Sequence, residues 1–250
     1  MSPAHRSAMV SAMRLALLAL STMVASCSSP PPPHDGHDAH HGHGEQGEHP
    51  PAGAHPHGHM HHRFENADEW AKRFDDPARD AWQKPDVVVA KLGLEKGARV
   101  ADIGSGTGYF AVRLARAVPS GVVYGVDVEP DMARYLRERA GREGLSNVVA
   151  VHAPPDDPKL PGPVDVALVV DTVHHIEDVP AYFRKLAASL SATGKVVVGD
   201  FKMGEIPVGP PPAARMAPAK LTEAMSAAGL RLVSVDEATL PYQYIATYSR

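Results

Sequence analysis

Residues 99–110 read R-V-A-D-I-G-S-G-T-G-Y-F, a short apolar run followed by glycines at alternate positions. Glycines at Gly104, Gly106 and Gly108 allow a strand to turn sharply into a helix and leave bare backbone for a ligand to lie against. Nineteen residues after Gly108, the next apolar run ends at Asp127, whose carboxylate can accept both hydroxyls of a ribose. Together the loop and the acid predict a site for an adenosine-containing cofactor.

The same loop begins a regular alternation of strand and helix patterns. Strands are predicted at 99–103, 122–126, 147–151, 164–170 and 195–200. Helices are predicted at 66–74, with Asn66 as the N-cap, and at 85–92, 107–117, 130–142, 179–190 and 213–228. Two last strands, 231–235 and 242–248, are separated by a short turn and predict an antiparallel hairpin at the sheet edge. The fold class is therefore α/β, with a mostly parallel sheet covered on both faces.

An acid two residues before the first glycine separates two candidate cofactors. Dinucleotide-binding loops read G-x-G-x-x-G, and their third glycine brings helix and strand together near a pyrophosphate. Here the loop reads G-x-G-x-G, and Asp102 precedes it. A carboxylate is unfavourable beside pyrophosphate but suits the positively charged amino group of a methionine moiety. A NAD-dependent oxidoreductase is therefore the less favoured alternative.

Three motifs resemble those of the class I S-adenosylmethionine-dependent methyltransferases. They are D-I-G-S-G-T-G at 102–108, G-V-D-V-E-P-D-M at 125–132 and V-D-V-A-L-V-V-D-T-V-H-H-I at 164–176. The resemblance covers about residues 85–250, and segment 64–85 looks like the leader of a group of uncharacterised bacterial methyltransferases. It implies a Rossmann-like, seven-stranded sheet whose last strand is antiparallel, and a methyl group transferred to a small-molecule acceptor.

The resemblance also implies which residues bind the cofactor. The glycine loop would contact it through backbone, with Asp102 at its amino-acid end, Asp127 on the ribose and Val128 on the adenine. Asp156 or Asp157 would accept the adenine amine. The full predicted set is Asp102, Gly104, Ser105, Gly106, Gly108, Asp127, Val128, Ala153, Asp156, Asp157, Asp171 and Thr172.

Residues after the fourth strand are candidates for the chemistry. A sulfonium methyl group is already activated, so a general base is needed only for an acceptor that carries a proton. His174 and Asp171 are the candidate catalytic bases, although a histidine pair at a strand end is often a packing or capping element. A leader with Trp70, Phe74, Trp82 and Gln83, and the Pro-rich loop 204–212, are predicted to close over the substrate. The alternative is that these aromatic residues are core contacts.

The N-terminus resembles the export signal of bacterial lipoproteins. Arg6 and Arg14 precede the apolar run 15–24, and Val24-Ala25-Ser26-Cys27 follows it. The run is shorter than the ~20 residues of a membrane span. Cys27, the only cysteine of the chain, would carry the lipid anchor, which would face the periplasm, with the outer membrane favoured. A cytoplasmic protein is expected if the signal is not used.

Eleven of the fifteen histidines fall between residues 34 and 62, in a stretch with almost no large apolar side chain. Such a tether is expected to be disordered. Its candidate ligands for zinc, nickel or copper are His40, His41, His43, His57, His59, His61 and His62. A lipid-anchored metal-binding lipoprotein, with the fold kept as a binding module, is therefore a second functional hypothesis. The alternative is that this stretch is only a hydrophilic spacer.

The predicted organisation is a signal at 1–27, a tether at 28–62, a helical leader at 63–84 and a cofactor-binding domain at 85–250. A formal net charge of −4, with acidic and basic residues interspersed, gives no footprint for nucleic-acid binding. One cysteine allows no intramolecular disulfide.

Overall fold

The structure, a computed structural model, describes residues 64–250. The predicted export signal with Cys27 and the predicted metal ligands of the histidine tract lie outside the described residues, so both stay predictions. Within the described range, no helix has both the length and the apolar character needed to cross a membrane.

Seven strands form one sheet in the order β3-β2-β1-β4-β5-β7-β6. The strands are β1 (Arg99–Ile103), β2 (Val122–Asp127), β3 (Val148–His152), β4 (Val164–Val170), β5 (Leu190–Phe201), β6 (Arg231–Asp236) and β7 (Gln243–Ser249). Strands β1 to β5 pair in parallel, whereas β7 is antiparallel to both β5 and β6. This arrangement confirms the predicted fold class, including the antiparallel hairpin at the sheet edge.

Helices cover both faces of the sheet. They are α1 (Ala67–Phe74), α2 (Ala78–Gln83), α3 (Pro85–Lys91), α4 (Ala111–Ala117), α5 (Pro130–Arg142), α6 (Val179–Ala188) and α7 (Pro218–Ala227). On one face, Leu114 of α4 and Leu136 of α5 pack on the sheet; on the other, Phe183 of α6 and Leu221 of α7 do so, and all four are fully buried. Burial of each such side chain contributes roughly 1.5–3 kcal/mol to the free energy of folding. This packing holds the sheet, and with it the strand ends that carry the site, in place.

Three predicted boundaries were wrong, each for a local reason. The helix predicted from 107 begins only at Ala111, because Gly108 takes a φ of 93° that a helix cannot accommodate. The helix predicted at 213–228 begins at Pro218, whose fixed φ suits a first helical turn. Strand β5 begins at Leu190, within the residues predicted to be helical, and runs to Phe201.

The leader forms two helices, of which the second was missed. Asn66 does not cap α1 as predicted: it adopts a left-handed φ of 63° and its side chain makes no capping hydrogen bond. Instead Asp131, in the first turn of α5, accepts the N–H of Ala67 at 2.6 Å. The N-terminus of α1 is thus capped by a residue distant in sequence, which single-helix capping patterns cannot anticipate.

Candidate cofactor and acceptor site

The site lies at the carboxyl ends of β1 and β4, where the sheet order changes direction. Strand β1 has β2 on one side and β4 on the other, so the connections that follow β1 and β4 leave to opposite sides. Open α/β sheets form their ligand-binding crevice at such a point. In this sheet the crevice is expected between the glycine loop after β1 and residues 171–175 after β4.

The glycine loop is held in a conformation that only glycine adopts readily. Gly104, Gly106 and Gly108 have φ values of 71°, 52° and 93°. A Cβ atom on Gly104 would lie 2.2 Å from Oγ1 of Thr172, and one on Gly108 would lie 2.5 Å from Cδ1 of Leu136. The first and third glycines are therefore required by close neighbours as well as by φ.

Three side chains of the loop carry buried polar atoms without a partner among the described residues. They are Oδ2 of Asp102, Oγ of Ser105 and Oγ1 of Thr107. Buried polar atoms in proteins are normally paired, so this cluster fits a ligand that supplies donors. Burial, and then the charge of Asp127, raise the pKa of Asp102 to about 7. A cationic amino group at this position would satisfy the carboxylate and favour its ionised form.

Asp127 ends β2 with both carboxylate oxygens anchored. Its Oδ2 accepts the N–H of Gly106 at 2.8 Å, and its Oδ1 accepts the N–H of Glu129 at 3.0 Å. Burial raises the pKa of Asp127, although these backbone donors counteract the effect. The next side chain, Val128, is 49% exposed, which provides an apolar surface beside the anchored carboxylate. A carboxylate anchored beside an apolar surface has the chemistry to accept ribose hydroxyls and to pack on a base, so this geometry fits the predicted roles, which stay predictions.

The turn after β3 places its predicted residues differently. Ala153 is buried, and its N–H donates to the carbonyl of Asp127 at 2.9 Å, so the turn lies beside the end of β2. Asp156 is exposed and pairs with Lys185 at 2.8 Å. Asp157 is partly buried and accepts the N–H of Lys159 at 2.9 Å. Of the two acids, Asp157 has the less exposed side chain, 26% against 74% for Asp156.

Tyr182 of α6 lies near two of the predicted site residues, Asp127 and Asp157, and was not itself predicted as a site residue. Burial, and then the charges of Asp157 and Asp127, raise the pKa of Tyr182. Its phenol therefore lies near both carboxylates. The residue belongs to a helical pattern in the sequence, and nothing in that pattern distinguishes it from a core position.

Asp171 lies at the end of β4 in a left-handed conformation, with φ of 55°. Its Oδ2 accepts from Nη2 of Arg79 and from Nε2 of Gln83, both at 2.9 Å, and its Oδ1 accepts from Nε2 of Gln243. Burial raises its pKa, while Arg79 and Gln83 counteract the rise. These three donors, here called the Asp171 clamp, hold the leader on the sheet. They make Asp171 a weak candidate for the predicted base, and its predicted contact with the cofactor stays a prediction.

Thr172 follows with its hydroxyl turned toward the sheet. Its Oγ1 donates to the carbonyl of Val170 at 2.8 Å and lies 3.2 Å from the carbonyl of Ile103. The side chain thereby joins β1 to β4 and packs on Gly104. Its position supports the glycine loop.

His174 belongs to a short 3-10 helix after β4, and its Nδ1 lies 3.1 Å from Oδ1 of Asp200. Asp200 is fully buried near the end of β5 and was missed as a site residue. The available signal was an acid that follows the apolar run 196–198 near the carboxyl end of a strand parallel to β4. Burial lowers the pKa of His174, but the hydrogen bond and charge of Asp200 outweigh it, so the net shift is upward.

Aromatic side chains flank the crevice on both sides. Phe74 lies over the glycine loop, since a Cβ on Gly106 would be 3.4 Å from its ring, and it packs on Phe64 and Trp70. Trp82 packs on Phe201 and Tyr242, with ring centroids 6.1 Å and 6.2 Å apart.

The Pro-rich loop is tied to the second aromatic group. A Cβ on Gly209 would be 2.5 Å from the ring of Phe201, so the loop lies directly on that ring. Arg215 donates to the carbonyls of Pro210 and Gly204. The leader and the loop therefore both border the crevice, as their predicted role in covering a substrate requires.

Among residues 64–250, no group of three or more His, Cys, Asp or Glu side chains is arranged to hold a metal ion. The predicted metal ligands, His40 to His62, lie outside the described range.

Residues 100–194 match a protein family described as "Methyltransferase domain". Among curated proteins, the chain is 32% identical to demethylmenaquinone methyltransferase of Geobacillus kaustophilus over 40% of its own length. It is 30% identical to 27-O-demethylrifamycin SV methyltransferase of Amycolatopsis mediterranei over 61% of its length. The chain spans 42% and 54% of the lengths of these two relatives.

A solved structure, a SAM-dependent methyltransferase from Aquifex aeolicus, is similar with a TM-score of 0.68 and 27% sequence identity. The similarity covers 73% of this chain and 97% of that protein. The similarity to this solved structure supports the predicted fold, and the glycine loop lies near the start of the segment that the family matches.

Proposed function

We propose, on the premise that residues 100–194 form a methyltransferase domain with the class I fold, that this chain transfers the methyl group of S-adenosylmethionine to a small-molecule acceptor. The observation that carries the proposal is the cradle at the end of β1. It combines glycines at positive φ, the unpartnered Oδ2 of Asp102, the anchored carboxylate of Asp127 and the exposed side chain of Val128.

Bound S-adenosylmethionine would supply an activated sulfonium methyl group. This chain's own residues would then bind and orient it. Asp102 would face the amino group, Asp127 would accept from the ribose hydroxyls, and Val128 would pack on the adenine. Phe74 would help to exclude water above the glycine loop. Fixed geometry is the main contribution, because correct alignment alone lowers a barrier of this kind by roughly 7–11 kcal/mol.

The identity of the acceptor cannot be inferred from the relatives, because their names refer to different acceptors. One name refers to demethylmenaquinone and another to a demethylated rifamycin. The aromatic side chains on both sides of the crevice would suit a small acceptor that carries a ring.

The test is calorimetry of the full chain with S-adenosylmethionine, S-adenosylhomocysteine and NAD. We expect both sulfur compounds to bind and NAD not to. Asp127→Ala should weaken binding by about tenfold or more, since it removes acceptors for ribose donors. Asp165→Ala is the matched control, because Asp165 lies at the opposite end of β4 and contacts Arg99. Absent binding of both sulfur compounds would refute the proposal.

We further propose that the chain is exported and anchored through a lipid on Cys27. The sequence of 1–27 supports this, and the chemical difficulty is that S-adenosylmethionine is made in the cytoplasm. Mass spectrometry of the mature N-terminus tests it: lipidated Cys27 is expected, and a free Met1, Met9 or Met13 would exclude it. In that case a cytoplasmic enzyme is the better description.

For the histidine tract we propose binding of zinc, nickel or copper in vitro, because neutral imidazoles at short spacings suit these ions. Removal of 34–62 should abolish retention on a nickel column. Undiminished retention would locate the ligands elsewhere in the chain.

A further inference from the structure

The pair formed by His174 and Asp200 has the geometry of a proton-accepting group. Both oxygens of the Asp200 carboxylate lie 3.1–3.2 Å from Nδ1 of His174, and Oδ1 also accepts the N–H of Phe201 at 2.7 Å. An ionised carboxylate has no proton to donate, so Nδ1 must carry the hydrogen and the lone pair of neutral His174 lies on Nε2.

The second ring nitrogen remains available. Within the part of the chain that the structure describes, both hydrogen bonds of His174 are made by Nδ1, and none is made by Nε2. The imidazole side chain is 7% exposed, whereas the Asp200 side chain is fully buried. The carboxylate therefore lies behind the ring, and the ring is the part of the pair that a ligand can reach.

Aromatic rings adjoin His174 on two sides. The His175 ring is centred 4.3 Å from it, and the Phe201 ring is centred 6.2 Å away. Trp82 and Tyr242 continue the aromatic surface beyond Phe201. The guanidinium of Arg79 is paired with Asp171, and that of Arg215 donates to the carbonyls of Pro210, Lys202 and Gly204. These surroundings favour a planar, uncharged ring rather than an anionic acceptor.

We propose, as an extension of the proposed methyltransferase function, that the acceptor is a hydroxyl group on an aromatic or conjugated ring, that His174 is its catalytic base, and that Asp200 is a positioning residue acting through His174. Nε2 of His174 takes the hydroxyl proton while the oxygen forms a bond to the methyl carbon. The carbon–sulfur bond breaks, and its electron pair stays on sulfur. The products are the methyl ether, S-adenosylhomocysteine and protonated His174, which later releases its proton to water.

Several charged or titratable groups surround the pair and set its pH dependence. They are Asp200 on β5, Asp171 at the end of β4, His175 beside His174, Tyr244 on β7 near Asp200, and Arg79 of α2, which neutralises Asp171. The carboxylates stabilise protonated His174, so its pKa is raised despite burial. Activity is therefore expected to rise with pH as neutral His174 forms, and to level off above its pKa.

The experiment measures methyl transfer from S-adenosylmethionine to 2-naphthol and 2,3-dihydroxynaphthalene, whose hydroxyl groups keep their protons near neutral pH, with calorimetric binding of S-adenosylhomocysteine as a separate measurement. We expect turnover of at least one of these hydroxyl probes by the full chain. His174→Ala should lower kcat by about 10²-fold or more with little change in KM. Added imidazole should restore part of the lost rate, which a purely structural histidine would not allow.

Asp200→Asn tests the positioning role. It should lower kcat by about tenfold and move the acidic limb of the kcat/KM profile to lower pH, because the charge that favours protonated His174 is removed. Asp165→Asn, remote from the crevice, should leave the rate and the profile unchanged.

The outcomes separate this proposal from the proposed function. Binding of S-adenosylhomocysteine without turnover of any hydroxyl probe would overturn the acceptor assignment and leave the cofactor assignment standing. Turnover that His174→Ala leaves intact, or that imidazole does not restore, would overturn the assignment of His174. Loss of S-adenosylhomocysteine binding in wild type would refute both.

Discussion

Gly104 is confined by two separate constraints, its φ of 71° and the hydroxyl of Thr172 where its Cβ would lie. Gly93 shares the first constraint, with φ of 59°, but nothing lies within 4 Å of its Cβ position. The two glycines therefore form a natural control for each other.

Replacing each glycine by alanine should separate the cost of a positive φ from the cost of a steric clash. Both variants incur the cost of a left-handed alanine, roughly 1 kcal/mol. Gly104→Ala must in addition displace Thr172, whose hydroxyl joins β1 to β4, so we expect a further loss of about 1–3 kcal/mol. Urea unfolding measures both. If both variants lose the same free energy of unfolding, the side chain of Thr172 moves aside at no cost.

Asp102 predicts a pH dependence of cofactor affinity. Its folded pKa of about 7 lies above the ordinary value of 3.8, mainly through burial. A cationic amino group favours the carboxylate, so S-adenosylmethionine should bind more tightly as pH rises from 5.5 to 7.5. Calorimetry across this range should show the rise in wild type and a flat profile in Asp102→Asn. A flat wild-type profile would place the amino group elsewhere.

The same shift affects folding stability, with the opposite sign. Between pH 4 and pH 7 the folded carboxyl holds a proton that the unfolded one has lost, so the contribution of Asp102 to stability falls as pH rises through this window. The cradle without ligand is therefore expected to destabilise the protein near neutral pH. Asp102→Asn should gain stability relative to wild type over the same window.

At the level of elements, the Asp171 clamp fastens α2 to the ends of β4 and β7. The Arg79 and Asp171 side chains are 17% and 22% exposed. Removing one partner of a mostly buried pair leaves an uncompensated charge, which costs about 3–5 kcal/mol at full burial. Lys72 and Glu69 form an exposed pair on α1, with 72% and 63% exposure, and provide the control.

Arg79→Met should lower the free energy of unfolding by about 2–4 kcal/mol, whereas Lys72→Met should change it by less than about 0.5 kcal/mol. The double variant Arg79→Met with Asp171→Asn should recover part of the loss, because the buried charge is gone. Urea unfolding provides these values. If the double variant recovers nothing, the contribution of Arg79 comes from packing and from its hydrogen bond to the carbonyl of Phe74.

The order of the strands and helices could be predicted from the alternation of their sequence patterns. The polar contacts that hold these elements together could not. Asp127 could be placed because an acid at the tip of the second strand has a local signal. Asp200 could not be predicted as a site residue, because its role depends on its contact with His174, which lies 26 residues earlier in the chain. Likewise, Asp131 caps α1 from 64 residues away, and the Asp171 clamp joins segments 88 and 72 residues apart. Long-range polar pairs leave no local periodicity to detect.

At the scale of the whole molecule, the leader helices and the cofactor cradle are expected to behave as one cooperative unit. Phe74 lies on the glycine loop, and the Asp171 clamp joins α2 to the sheet. A ligand that binds only the folded state stabilises it by about 2.7 kcal/mol at 100 times its Kd.

S-adenosylhomocysteine at that concentration should raise the free energy of unfolding by about this amount in wild type and by far less in Asp127→Ala. Hydrogen exchange should slow in α1 and α2 as well as in the glycine loop. Slowing confined to the loop would show that the leader moves independently of the cofactor.

The change of direction between β1 and β4 also divides the crevice by chain segment. The proposed nucleoside surface is built from β1, β2 and β3. The rings near His174 come from α2, β5 and the turn before β7, and the loop 204–212 lies on the Phe201 ring. Few residues serve both sides. Exchange of the loop 204–212 with that of a related enzyme should therefore alter acceptor choice while leaving cofactor recognition intact, which makes this fold a convenient starting point for redesigned alkylation catalysts.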